Sequence, residues 1–319
     1  MAEPGVLTIL VTGGAGFIGS HVVDAYLRLG HRVVVVDDLS RGARENVNTQ
    51  ACFHRVDVCS SELDDIFRAY KPAVVNHHAA QVRLSESLKD PMHDAWVNIM
   101  GSLNVLKACA EHGVRKVIFA SSGGAIYGDP ETLPAEETQP LRPISPYGAS
   151  KAAVEHYLRV FEAGWGLCYV ALRYANVYGP RQRTDNESGV IAIFTNAMVK
   201  GETPIIYGDG EQVRDYVYVD DVVEANVLAL DDRAQGAFNI GTGVGTRVKE
   251  LYAQLSELIG YRGNASYGPP REAEVEKSVL RIDCARRQLG WEPRVPLAEG
   301  LRLYVDHVRQ GGGPRVGHS

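Results

Sequence analysis

The sequence predicts a doubly wound α/β fold, a parallel sheet covered by helices on both faces, followed by a smaller C-terminal α/β lobe for substrate. Three observations point there. Short, continuous apolar runs alternate with helical stretches through the first half of the chain. A glycine-rich turn, from Thr12 to Gly19, stands between the first apolar run and the first helix. Beyond residue 180 the texture changes to short strands separated by Gly and Pro turns.

Taken in order, residues 6–11 read as a buried strand and 17–29 as a helix stopped at Gly30. A second strand, 32–36, ends on Asp37. Further strands are expected at 52–56, 73–76, 116–120 and 168–172, with helices at 61–69, 94–111 and 146–161. Strands buried on both faces lose the polar alternation, and ligands of such a sheet lie beyond the strands' carboxyl ends. Later helices are expected at 190–199, 222–230 and 248–259, a strand at 204–207, and turns at 208–210 and 267–270. This gives a nucleotide-binding domain over 1–180 and a substrate lobe over 181–309, with the chain crossing between them more than once. Residues 310–319 have nothing to bury and are expected to be disordered.

A chain of 319 residues, 45% apolar, can bury a sizeable core. Its 33 basic and 39 acidic residues are interspersed, and no basic block tracks a nucleic-acid backbone, so no nucleic-acid partner is expected. The cysteines, Cys52, Cys59, Cys109, Cys168 and Cys284, are scattered without a C-x-x-C pair. That argues against structural zinc and a disulfide framework, and for the reduced thiols of a cytoplasm. The early apolar run is too short for a signal-peptide core or a membrane span, so no membrane association is expected. His77, His78 and His112 form no metal spacing, and no metal is expected.

In the turn, Gly13 permits the tight bend, Gly16 lets backbone approach a pyrophosphate, and Gly19 lets helix and strand pack closely. Phe17 and Ile18 open the helix, whose unpaired N–H groups and positive dipole end suit phosphate. Asp37 stands about 20 residues past the turn, where a carboxylate binds the adenosine ribose hydroxyls and repels a 2′-phosphate. NAD is therefore favoured over NADP, with Arg41 nearby as the one opposing sign. Asp57 and Val58 end another strand and read either as the adenine edge of the site or as an ordinary solvated loop.

Tyr147 and Lys151 are spaced four apart after Ser145 and Pro146, a cap and a first-turn proline, so both fall on one helix face. A free tyrosine titrates near ~10, and a nearby ammonium favours the phenolate. Such a phenol can take a proton from a substrate hydroxyl near neutral pH. Read in isolation, the spacing also fits a core tyrosine with a solvated lysine.

Six segments now stand in one order: Thr12 to Gly19, Asp37, Asn76 to Ala80, Ser121 to Gly128, Tyr147 to Lys151, and Arg173 to Pro180. In that order they resemble the extended short-chain dehydrogenase/reductases, and among these the UDP-sugar 4-epimerases, over nearly the whole chain. The resemblance implies a Rossmann domain holding NAD, with Ala79, Ala80, Asn98 and Tyr174 among its cofactor contacts. It implies catalysis by Tyr147 and Lys151 with a serine or threonine. That third position falls on Gly123, a departure from the pattern, and Ser122 just upstream is assigned in its place. Similar sugar-nucleotide dehydratases carry an Asp-Glu pair where this chain has Gly124 and Ala125, so oxidation at C4 is expected to stop at the ketone.

For the substrate, a UDP-sugar, the resemblance places Asn176 on the diphosphate or sugar and the helix start at Gly189 and Val190 on a phosphate. It places Ile205 and Tyr207 around uracil, Arg214 and Arg271 on the diphosphate, and Glu274 on the uridine ribose. Each arginine taken singly also reads as a surface ion pair. Ser278 is small where some epimerases carry a bulky tyrosine, which leaves room at C2 of the sugar. Arg183 lies where UDP-glucuronate 4-epimerases carry an arginine, whereas Asn176 stands where those enzymes have threonine. A homodimer is implied through the helices 94–111 and 146–161. Against a UDP-glucose/UDP-galactose 4-epimerase stand a UDP-glucuronate 4-epimerase, a dehydratase or decarboxylase, and a non-catalytic nucleotide sensor.

Overall fold

The computed structural model describes residues 5–183 and 189–312. The part of the expected tail from 313 to 319 lies outside the described residues; the chain kinks at Gly311, which has φ +79°. Two compact units divide the chain. The first comprises Met1–Ser121, Pro146–Leu172 and Val223–Phe238; the second comprises Ser122–Ser145, Arg173–Val222 and Asn239–Ser319.

The first unit is built on a seven-stranded sheet. Its spatial order is Gly236–Ile240, Cys168–Tyr174, Lys116–Ser122, Val74–His77, Thr8–Thr12, Arg32–Val36, Cys52–His54. Thr8–Thr12 pairs in parallel with Arg32–Val36 on one side and with Val74–His77 on the other. Parallel pairing continues to Cys52–His54 and to Lys116–Ser122. The strand order therefore reverses beside Thr8–Thr12, and the crevice at that reversal is where a doubly wound sheet takes its ligand. Burial explains the sequence pattern: Ile9, Leu10, Val11, Val35, Val36, Val74, Val75, Val117 and Ile118 are all fully buried. Each such side chain contributes about 1.5–3 kcal/mol relative to exposure. Helices Phe17–Arg28, Glu62–Tyr70, Gly101–Glu111 and Pro146–Trp165 supply the covering layers. Leu63, Ile66, Phe67, Val105, Leu106, Val154 and Leu158 from three of them join one core cluster with the strands.

Several element boundaries differ from the sequence reading, and three of the differences have a visible cause. The first strand is Thr8–Thr12, because Val6 is exposed and outside the sheet. The expected helix 94–111 is broken into Pro91–Ala95, a π-helical turn Trp96–Met100 and Gly101–Glu111. Asn98 sits in that turn, and Ser102 Oγ donates to its carbonyl at 2.5 Å. A single π turn of this kind is frequent at functional sites, since it redirects one side chain without ending the helix. The expected helix 146–161 runs on to Trp165, where Trp165 stacks on Phe161 with ring centroids 4.7 Å apart.

The second unit centres on Val213–Tyr218. That strand pairs antiparallel with Gly245–Arg247 and in parallel with Lys277–Ser278 and Asn176–Tyr178. Ile205–Tyr207 and Ser266–Gly268 form a separate parallel pair. Helices Val190–Val199, Val248–Ile259 and Leu297–His307 pack around them. Asp215, fully buried, ties the sheet to its loops by accepting from Thr242 N, Thr242 Oγ1, Gly243 N and Leu280 N. Among the described residues no helix is long and apolar enough to cross a membrane.

Candidate functional site

In the first unit, the glycine turn meets the end of strand Val74–His77. Gly13 has φ +67°, and a Cβ there would stand 2.6 Å from Ala79 N. A Cβ at Gly19 would stand 2.3 Å from Gly13 O. Both positions therefore require glycine, one for its conformation and both for space. Helix Phe17–Arg28 begins after Gly16 with no side-chain cap. The N–H groups at its head, those of Phe17 and Ile18 among them, are thus available to an anion.

Asp37, buried, accepts from Ala15 N at 3.0 Å and from Leu39 N at 2.9 Å, one bond on each carboxylate oxygen. Burial pushes its carboxyl above the usual range, and the two backbone N–H groups oppose that. Each oxygen keeps a lone pair for a hydroxyl donor. An uncapped helix head, glycines against backbone and an acceptor at the second strand's end together fit a dinucleotide with a free 2′-hydroxyl.

Beneath the turn runs a directed chain of hydrogen bonds. Ser102 donates to the Asn98 carbonyl, so its oxygen must accept from His77 Nε2–H, 2.8 Å away. His77 Nδ1 is then the acceptor for the Thr12 hydroxyl at 2.6 Å, and Thr12 Oγ1 accepts from Ala79 N at 3.2 Å. His77 and His78 are neutral, pushed down to about 3 by burial first and then by the Lys151 ammonium. His77, held neutral between Thr12 and Ser102, thus braces the cradle.

Asn98 is engaged on all sides. It accepts from Gln81 N at 2.8 Å and donates to Gln81 O, Asp94 Oδ1 and Ser150 Oγ. It pins the segment after Ala79 and Ala80 from behind. Asp57 is exposed and holds a tight turn by accepting from Cys59 N at 2.8 Å. The Val58 side chain lies in the core, and its carbonyl accepts from Asn104.

Tyr147 and Lys151 fall on one face of Pro146–Trp165, with Lys151 Nζ 5.9 Å from the Tyr147 ring centroid. Lys151 is only 4% exposed and donates to Ala120 O at 2.9 Å. Burial pushes its ammonium down to about 8, against the opposing pull of Asp94 and then Glu155. A lysine kept charged in a dry setting is what a phenol needs to ionise near neutrality.

In the second unit, the loop after Ser122 explains the departure at Gly123. A Cβ there would meet Leu280 Cδ1 at 2.5 Å and Arg173 O at 3.1 Å, so a serine would require the Leu280 side chain to move. The Ser122 carbonyl accepts from Ala125 N and Ile126 N, while its hydroxyl bonds to no described residue. Gly124 has room: a Cβ would find Asn176 Oδ1 at 3.7 Å and Ser278 Oγ at 3.9 Å, an amide and a hydroxyl and no acid. Tyr174 is buried, and its carbonyl accepts from Gly124 N at 3.4 Å.

The other predicted substrate residues of this unit fall into pairs. Arg214 and Glu274 face each other at 3.0 Å, with further Arg214 bonds to the carbonyls of Val213 and Glu276. Arg271 lies over the Tyr207 ring at 4.4 Å. Ile205 opens the same short strand and is exposed. Gly189 caps Val190–Val199 with no side-chain bond, and Gln182 Nε2 would sit 2.7 Å from a Cβ there. Arg183 is half-buried at the edge of 184–188, which lie outside the described residues. Asp94, Glu155 and Ser121 escaped the sequence reading. The one available signal was Glu155 itself, an acid one helical turn beyond Lys151. Among the described residues no cluster of three His, Cys, Asp or Glu stands where it could hold a metal.

Comparison with known proteins follows the same lines. Residues 9–241 match the family described as the NAD dependent epimerase/dehydratase family. A protein of Methanocaldococcus jannaschii called a putative UDP-glucose 4-epimerase is 44% identical over 94% of this chain and 98% of its own. The crystal structure of UDP-glucose 4-epimerase with UDP-glucose from Thermotoga maritima superposes with a TM-score of 0.93 at 50% identity, covering 96% of this chain and 99% of that one. The Thermus thermophilus UDP-glucose 4-epimerase complex with NAD gives 0.92 at 48% identity, covering 95% and 99%.

Proposed function

The chain belongs to the NAD dependent epimerase/dehydratase family, and from that premise we propose that it interconverts the C4 epimers of a UDP-linked hexose of the glucose/galactose type. The observation that carries this is the buried Lys151 ammonium beside the Tyr147 ring, on the unit that also holds the dinucleotide cradle. NAD, when bound, takes up the hydride from C4 and gives it back.

The chain's own residues supply the rest. The helix head at Phe17 and Ile18 holds the pyrophosphate, and Asp37 accepts from the adenosine ribose. Tyr147 as phenolate removes the proton of the sugar 4-hydroxyl, and Ser122 is the hydroxyl the family resemblance assigns to the same step. Lys151 holds the phenolate charge. Arg214 and Arg271 take the diphosphate as charge-assisted donors, which requires Glu274 to yield Arg214 to the ligand and turn to the uridine ribose. Tyr207 and Ile205 flank the base, and the helix head at Gly189 and Val190 with Asn176 holds the phosphates and sugar. The 4-keto sugar then rotates about its diphosphate link and is reduced on its other face. Gly124 and Ala125 offer no carboxylate to draw a proton from C5, so the reaction ends in epimerisation and water is retained.

The test is direct. Purified protein with NAD and UDP-glucose should yield UDP-galactose, and the reverse, with no net NADH. A 4-keto-6-deoxy product, carbon dioxide or stoichiometric NADH would replace this reading with a dehydratase, a decarboxylase or a dehydrogenase. Faster turnover of UDP-glucuronate, lost in Arg183→Ala, would favour the glucuronate epimer pair.

The reading includes a homodimer in a reducing cytoplasm. Five free cysteines support the compartment. Met92, Trp96 and Met100 support the dimer: they recur every four residues and are all exposed, Trp96 at 55%. Helix Pro146–Trp165 packs beside them and exposes Tyr157, Val160 and Trp165. Six large apolar side chains exposed on neighbouring helices are more than scattered surface residues would give. Trp96→Glu with Val160→Glu should halve the mass seen by light scattering; an unchanged mass would place the interface elsewhere.

A further inference from the structure

The reaction uses Tyr147 and Lys151, yet the same helix face carries a third ionisable group. Glu155 lies one turn beyond Lys151, as Lys151 lies one turn beyond Tyr147. It is 6% exposed, and its Oε1 accepts from Ser121 Oγ at 2.5 Å. Ser121 directly follows Ala120, whose carbonyl accepts from Lys151 Nζ. Two successive residues of strand Lys116–Ser122 thus hold the two charged groups of one helix face.

A carboxylate buried so deeply is costly unless a cation shares its surroundings. The charged and titratable groups around Lys151 can be named from each element packed on it. Asp94 comes from Pro91–Ala95, His77 and His78 from the end of Val74–His77, and Tyr147 and Glu155 from its own helix. Phe119 and Ala120 of the neighbouring strand offer a ring face and a carbonyl. Both histidines are neutral, so the anions are Asp94 and Glu155. Asp94 is already bound through Oδ1 to Gln81 and Asn98, and altering it would loosen the cradle.

We propose that Glu155 is a positioning residue that holds Lys151 in its ammonium form, and so sets the pH range over which Tyr147 serves as base. This rests on the epimerase reading for the role of Tyr147 only. The Glu155 anion favours the charged lysine and opposes the burial that lowers it to about 8. Without that anion Lys151 loses its proton at lower pH. Tyr147 then lacks a neighbouring cation and ionises at higher pH.

The experiment compares Glu155→Gln and Glu155→Asp with wild type in two readouts. One is the titration of Lys151 in 13Cε-lysine-labelled protein, its signal identified by loss in Lys151→Met. The other is kcat against pH with UDP-glucose. In Glu155→Gln the Lys151 midpoint should fall by about one pH unit, and the rate profile should narrow from both sides. Glu155→Asp, which keeps the charge, should retain the broad profile. An unmoved midpoint in folded Glu155→Gln, or an aspartate variant that behaves like glutamine, overturns the proposal. If Glu155→Gln does not fold, wild type still decides: a Lys151 midpoint below about 6, the range of an unaided buried lysine, also overturns it. Absent turnover of UDP-glucose by wild type would instead refute the epimerase reading and leave the titration to judge Glu155.

Discussion

Tyr147→Phe should lower kcat by about 10²–10⁴-fold while leaving KM for the UDP-sugar nearly unchanged. The substitution removes one oxygen and keeps the ring. The ring still lies 5.9 Å from Lys151 Nζ, so helix Pro146–Trp165 loses no packing. The cradle at Gly13, Gly16 and Asp37 belongs to other elements, so NAD retention should not change. On the proposed mechanism the group lost is the proton acceptor for the 4-hydroxyl, and the loss therefore appears at the chemical step. Steady-state rates with UDP-glucose and UDP-galactose, with bound NAD quantified after denaturation, check this. A kcat within tenfold of wild type would remove Tyr147 from the mechanism.

The pH limits of the wild-type enzyme follow from the same pair. At low pH Tyr147 carries its proton and cannot take another, so the rate rises with pH as the phenolate forms. At high pH the Lys151 ammonium, already lowered to about 8 by burial, gives up its proton and its charge stabilisation. The kcat profile should therefore bend downward as pH rises through about 8. A plateau running on through pH 10 would mean that Lys151 charge is not needed.

The fold and the centre of the site were legible because each depends on residues close in sequence. Val33 to Val36 are buried on both faces, and unbroken apolar runs announce that directly. Tyr147 and Lys151 need only four-residue spacing to share a face. What escaped depends on distant partners. Gly123 lies against the Leu280 side chain and the Arg173 carbonyl, which no local pattern connects to it. The break at Trp96–Met100 has neither Pro nor Gly within it, because the bond from Ser102 to the Asn98 carbonyl and the demands on Asn98 override local helix preference. Arg214 and Glu274 were both expected at the ligand, yet they pair with each other across a sequence gap that spacing cannot bridge.

Lys116→Met should destabilise the first unit by about 3 kcal/mol, and the reason is likewise out of reach of sequence. Lys116 opens a buried strand and is 1% exposed, a place where a lysine is ordinarily excluded. Its ammonium is spent on three carbonyls: Ala229 O at 3.2 Å, Ala234 O at 2.9 Å, and Asp231 O. Those carbonyls lie just beyond helix Val219–Leu228, so the cation also meets the negative end of the helix dipole. Methionine has a similar length and packs the same channel, so the variant removes donors without opening a large cavity. Two buried acceptors, the carbonyls of Ala229 and Ala234, are left without this donor at about 1–3 kcal/mol each, while Asp231 O keeps Ala234 N; the relief from no longer burying an ammonium offsets part of the loss. A net loss of about 3 kcal/mol lowers Tm by about 5–10 °C for a unit of this size. Amide exchange should rise most in residues 229–236, where the lysine fastens the turn. Unchanged Tm, or exchange rising evenly across the sheet, would mean that water replaces the ammonium at no cost.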